Sequence, residues 1–186
     1  MIEYRHKYPL VDIRVNTESC TRLFELLRTN DIDVALGLTG QVEQSDMTVK
    51  TLHDEIMTVV VSPLHQLANK ANVGPQDLVG ECLIITSEGC GYRPIVLSIL
   101  REYSVTLGSI MELTSIGAIK ECTACGLGIA VLPKIAVQDE LKRGKLIELN
   151  WTGPKFDVKT QLIHHQDKWL SPAVRAFLTL AEHLGD

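Results

Sequence analysis

The stretch ELTSIGAIKECTACGLGIAVLP, residues 112–133, sets three elements end to end. Ile110 to Leu113 is a short apolar run of strand type, and it stops at Thr114-Ser115, hydroxyl residues that suit a helix cap. A helix then begins near Ile116, and Gly126 and Gly128 end it. Ile129-Ala130-Val131-Leu132 is a second strand, closed by Pro133. Strand, helix, strand at this spacing implies neighbouring strands joined by a crossover helix.

The same alternation extends in both directions. Upstream, Leu83-Ile84-Ile85 reads as a buried strand running into the loop Thr86-Ser87-Glu88-Gly89-Cys90-Gly91. Pro94 suits the first turn of the helix that follows, because its missing N–H costs nothing there. Gly74-Pro75 opens a helical turn ending near Leu78, and Ile56 to Val61 is a β-branched run stopped by Ser62-Pro63. Nearer the start, Val11 to Val15 alternates apolar and polar, Asn16 and Thr17 offer caps, and Leu23, Phe24, Leu26 and Leu27 are spaced as a helix. Val34 to Leu38 is a strand ending at Thr39-Gly40, so residues 11–40 read as a βαβ unit. Downstream, Leu146 to Leu149 and Val158 to His164 read as strands. Asn150 to Lys155, with Gly153-Pro154, reads as a break between sub-structures, and Ser171-Pro172 opens a final helix. The expected fold is α/β, with mainly parallel sheets covered by helices on both faces.

Composition narrows the function. The chain has 186 residues, 45% of them hydrophobic and only 5% aromatic, so its core is built from Val, Ile, Leu and Ala. Eighteen basic residues against 23 acidic give a net charge of -5, with no basic stripe of a free-standing nucleic-acid binder. Lys142, Arg143 and Lys145 read as a solvated helix end. Five cysteines (Cys20, Cys82, Cys90, Cys122 and Cys125) lie mostly in apolar surroundings and fit a reducing, cytoplasmic setting. Met1 to Pro9 lacks a signal-peptide core, and no stretch approaches the ~20 apolar residues of a membrane span.

Several fragments, in order, resemble the effector-binding domain of LysR-type bacterial transcriptional regulators. They are NDIDVALGL (30–38), LHDEIMTVVVSPLHQLA (52–68), DLVGECLIIT (77–86), the opening stretch 112–133, which is the most specific, and LSPAVRAFL (170–178). The resemblance implies a two-lobed fold of the periplasmic-binding-protein type. One lobe would combine residues 1–61 and 163–186, the other would hold 62–162, and the two crossing strands would form a hinge. It also implies a winged helix-turn-helix and a first domain strand ahead of YRHKYP (4–9), neither of which is in this sequence. The family's role is to bind a small effector between the lobes, with DNA contacted only through the helix-turn-helix. Such domains pair side by side, so a homodimer or higher oligomer is expected. The alternative on the same architecture is a periplasmic-type solute-binding protein for a small anion.

In such folds ligands sit beyond the carboxyl ends of strands. That places candidate effector contacts at Thr39, at Thr86, Ser87, Cys90, Gly91, Tyr92 and Arg93, and at Thr114 and Ser115. Hydroxyls and helix N-termini favour a carboxylate or another anion, while the competing role of the hydroxyls is capping. Arg93 could clamp a carboxylate or lie along the outside of its helix. Cys90, beside Tyr92 and Arg93 in a Gly-rich loop, has three open readings: redox sensing, ligand contact and loop packing. Cys122-x-x-Cys125 lies at a helix C-terminus, where the dipole opposes a thiolate, so core packing is expected. His164 and His165 alternate across a strand and cannot share one metal, and His53, His65 and His183 have no evident partner. No metal, no cofactor and no catalytic constellation is expected: Gly-x-Ser-x-Gly is absent, and Gly126-Leu-Gly128 follows a helix rather than a strand.

Overall fold

The computed structural model describes residues Ile2–Glu182. In chain order the elements are α1 (Ile2–Lys7), α2 (Cys20–Arg28), β1 (Ala35–Thr39), β2 (Met47–Asp54) and β3 (Met57–Val61). A 3-10 turn (Pro75–Leu78), β4 (Cys82–Thr86), α3 (Arg93–Glu102), β5 (Ser109–Leu113) and α4 (Ile116–Ala124) follow. The chain continues through β6 (Ile129–Pro133), α5 (Lys134–Lys142), β7 (Ile147–Glu148), β8 (Lys159–His165) and α6 (Pro172–Glu182). It divides into two units, one of residues up to Asp54 and from Lys159 onward, the other Glu55–Val158. The boundary falls before β3, where the sequence reading put residue 61 in the first lobe, because β3 is hydrogen-bonded to β6 and β7 of the second unit.

In the first unit β8 is the central strand, flanked antiparallel by β1 and β2. Leu27, Ala35, Met47 and Ile163 form its core, with Leu23 and Phe24 of α2 packed against them. Ser19 caps α2 by accepting from Arg22 N–H at 3.3 Å. Ser171 caps α6 by accepting from Val174 N–H at 3.2 Å, as Ser171-Pro172 implied. Buried Tyr4 donates to Ala173 O at 2.7 Å and meets Phe177 edge-on.

The second unit is a five-stranded sheet ordered β5-β4-β6-β3-β7. Val60, Ile84, Ala130 and Leu132 from three strands pack against Ile119, Val137 and Leu146. Gly128 is required where β6 passes β4: a Cβ there would lie 2.2 Å from Cys82 O. β4 runs parallel to β5 and β6, with α3 and α4 as the connecting helices.

Three expectations need correction. The pairing is mixed rather than mainly parallel: β3 runs antiparallel to β6 and β7, and every pairing of the first unit is antiparallel. Val11–Val15 has no strand assignment, and Val15 is 74% exposed. Its alternation supplies a sided strip but no neighbouring strand, and β1 pairs instead with β8. The stretch at Asn150 to Lys155 is no break. It is held in the second unit by the Val73–Trp151 bridge and by Asn150 Nδ2 donating to Ala71 O at 2.8 Å. Trp151 Nε1 also donates to Pro154 O at 2.9 Å, with the indole stacked on Phe156. Strand β2 was missed, although Met47-Thr48-Val49-Lys50 alternates as a strand should.

Candidate functional site

The second unit brings eight of the nine candidate residues together, because β4 and β5 are parallel neighbours. Their registers end side by side at Thr86 and Leu113, and Ser87 N–H donates to Leu113 O at 3.1 Å. The β4–α3 connection and the β5–α4 connection therefore start next to each other at the carboxyl end of the sheet. Thr39 belongs to the first unit, at the end of β1.

Both connections lead into helix N-termini that no side chain caps. Ser115 stands at the N-cap of α4 in extended conformation, exposed, and its hydroxyl makes no capping bond. Its carbonyl accepts from Ile119 N–H at 3.0 Å, so the helix starts normally while the hydroxyl stays available. Thr114 beside it is also exposed. Tyr92 stands at the N-cap of α3, again without a side-chain cap, and Pro94 follows in the first turn. The free N–H groups and dipole of such ends attract negative charge.

Between them the loop Ser87–Gly91 makes a tight turn. Cys90 N–H donates to Ser87 O at 3.4 Å, and Gly89 sits at φ 87°. Cys90 is half-buried and forms no disulfide among the described residues. Thr86 and Tyr92 are buried, and neither the Thr86 hydroxyl nor the Tyr92 phenol has a hydrogen-bond partner among the described residues. Burial pushes the phenol above its ordinary pKa, the neighbouring Cys90 adds to the rise, and the Thr86 hydroxyl works the other way. The phenol therefore keeps its proton.

Arg93 is not free to clamp an anion. Its Nη1 donates to Thr86 O at 2.5 Å, its Nη2 pairs with Glu112 of β5, and its side chain is only 11% exposed. It ties α3 to the ends of β4 and β5. Thr39 is likewise engaged: its hydroxyl lies 2.5 Å from Gln161 Oε1, and Gln161 Nε2 is 3.3 Å from Thr51 Oγ1. Gln161, buried in mid-strand on β8, and Glu112 were missed by sequence reasoning. A Gln inside the run Thr160–Ile163 was the available signal for the first.

The remaining chemistry-bearing residues fall elsewhere. His65 does have a partner: Nδ1 accepts from Leu67 N–H at 3.2 Å, which leaves Nε2 as the donor to Glu81 at 3.1 Å. Cys122 packs on the core, but Cys125, at the C-cap of α4, is exposed rather than packed. Among the described residues no group of three His, Cys, Asp or Glu is placed to hold a metal ion. His183 lies outside the described residues. No helix of the described residues is long and apolar enough to cross a membrane.

Comparison with known proteins shows the family and the fold. The family model for the LysR substrate binding domain matches residues 1–185. An HTH-type transcriptional regulator of Bacillus subtilis (strain 168), YwqM, is 33% identical over 84% of the chain and 53% of its own length. The chain spans only 53–60% of the length of such curated relatives. The regulatory domain of Synechocystis PCC6803 CcmR, solved in complex with 2-PG, superposes with a TM-score of 0.89 at 24% identity, covering 99% of this chain and 88% of that one. The effector-binding domain of QuiR, solved in complex with shikimate, gives 0.83 at 22% identity, covering 99% and 87%. These likenesses show a two-lobed α/β fold of the periplasmic-binding-protein type, and the chain belongs to the LysR substrate-binding domain family.

Proposed function

We propose that this domain is the sensing part of a cytoplasmic LysR-type regulator and binds a small anionic effector at its strand-end loops. The observation that carries the reading is the pair of adjacent connections after β4 and β5. Each leads to a helix N-terminus without a side-chain cap, and Ser115 offers an unused hydroxyl. Neutral donors and helix dipoles hold an anion without a cation, consistent with Arg93 being engaged elsewhere. Ser87, Cys90, Gly91, Tyr92, Thr114 and Ser115 are assigned to the effector. Thr86 completes the set within the second unit. Support also comes from the relatives: CcmR and QuiR domains are described with 2-PG and with shikimate bound. Family membership does not favour the alternative of a periplasmic-type solute-binding protein.

DNA contact is assigned to a part of the longer regulator outside this chain, and pairing of domains is assigned to this one. The relatives are regulators rather than enzymes, and the site is read as a binding site only. An effector can bias the regulator only by binding one state more tightly than another. The experiment is a thermal-shift screen of small carboxylates, phosphates and uncharged compounds of similar size on the purified chain. A ligand that binds only the folded state raises the melting midpoint by mass action. The expected result is a concentration-dependent rise that Ser115→Ala reduces. A rise produced only by uncharged compounds, unaffected by Ser115→Ala, would contradict the reading.

A further inference from the structure

Thr86 Oγ1 and Tyr92 OH are both closed to solvent and both without a hydrogen-bond partner among the described residues. Buried hydroxyls are seldom left so, and two in one connection call for a reason. Thr86 ends β4 and Tyr92 directly precedes α3, so the loop Ser87–Gly91 joins them. The polar neighbours that bear on the phenol are the Thr86 hydroxyl, just before that loop, and the Cys90 thiol, within it. The tip of the phenol therefore lies beside Cys90 of the loop. Both hydroxyls carry their protons, and two O–H donors in one place suit a single acceptor atom. Gly89, in the left-handed region at φ 87°, lets the loop adopt conformations closed to other residues.

We propose that Thr86 and Tyr92 form a donor pair reserved for one acceptor oxygen of the effector, a carboxylate or carbonyl oxygen, reached when the Ser87–Gly91 loop moves aside. The proposal rests on the reading of these loops as the effector site and names the group that the β4–α3 side of the site takes. In the ligand-free chain the loop covers the pair and leaves it unpaired. The bound oxygen accepts from both, so occupancy and loop position are coupled. Cys90, on the loop, reports the movement.

The test uses Tyr92→Phe and Thr86→Val, each of which removes one hydroxyl and keeps the shape. In the ligand-free chain each variant is expected to melt at the wild-type temperature or about 2 °C above it, because an unpaired buried donor has been removed. A fall in both variants overturns the proposal, since it shows hydroxyls that are already satisfied. The binding arm follows the rate at which iodoacetamide labels Cys90, resolved by mass spectrometry, with acetate as the carboxylate probe and chloride at equal ionic strength as control. Acetate is expected to change the wild-type rate, and its apparent affinity to drop about tenfold in each variant, the loss typical of one hydrogen bond to a charged group. Equal acetate affinity in all three proteins overturns the donor pair and leaves the anion site standing. So does a silent acetate arm if inorganic phosphate still raises the melting midpoint in a Ser115-dependent way. Silence of both probes overturns the pair and the site together.

Discussion

Ser115 shows what a single side chain contributes here. Its backbone starts α4, while its hydroxyl makes no capping bond, so structural and binding roles separate within one residue. Ser115→Ala is expected to weaken effector binding by about 1 kcal/mol while the melting temperature stays put, checked by calorimetric titration beside a thermal melt. A lower melting temperature with unchanged affinity would make Ser115 a cap after all. Residue identities at the loops were legible in the sequence because strand ends and helix starts are marked by Thr, Ser, Gly and Pro. What each side chain touches was not. Arg93 looked equally suited to a ligand and to its own helix, and Glu112, which captures it, lies on a neighbouring strand. His65 looked unpartnered because Glu81 reaches it only through the fold.

Elements were legible where their pattern matched their surroundings. The opening strand–helix–strand of residues 112–133 is seen as β5, α4 and β6, because its apolar faces and its capping residues agree. The alternation of Val11–Val15 misled because a strand needs a neighbour as well as a sided face. Gly128 marks a close approach of the chain entering β6 to β4, and Gly128→Ala should destabilise by about 2 kcal/mol or more, since the new Cβ meets backbone. Chemical denaturation checks this, and an unchanged midpoint would mean that β6 can shift away from β4 without cost. Between α4 and α5, Lys120 Nζ lies 2.8 Å from Glu140 Oε1 and donates to Ala136 O at 3.0 Å. The hydrogen bond from Lys120 holds the Glu140 carboxyl below its ordinary pKa, against some desolvation. A depressed carboxylate contributes stability that is present above its unfolded pKa and is lost as pH falls toward the folded one. Glu140→Gln should therefore lower the midpoint at pH 7 and narrow the gap between melts at pH 7 and pH ~3.5. An unaltered gap would remove the pair from the acid response.

At the scale of the whole molecule, charge and edges set the partners. With a net charge of -5, the purified chain is expected to show no tight, salt-dependent binding to duplex DNA in a titration across ionic strengths. Self-association is expected. β5 lies at the edge of its sheet with Ile110 47% exposed, and exposed edges invite pairing. Sedimentation at high concentration should then report a dimer or larger species, and a clean monomer would count against it. The central claim is that an anionic effector is held by the loops after β4 and β5. The direct measurement takes any small anion that raises the wild-type melting midpoint and titrates it calorimetrically into wild type, Ser87→Ala and Ser115→Ala. The account predicts folded variants with affinity reduced several-fold in each, about 1 kcal/mol per lost hydrogen bond. Unchanged affinity in both folded variants would place the effector elsewhere and contradict it.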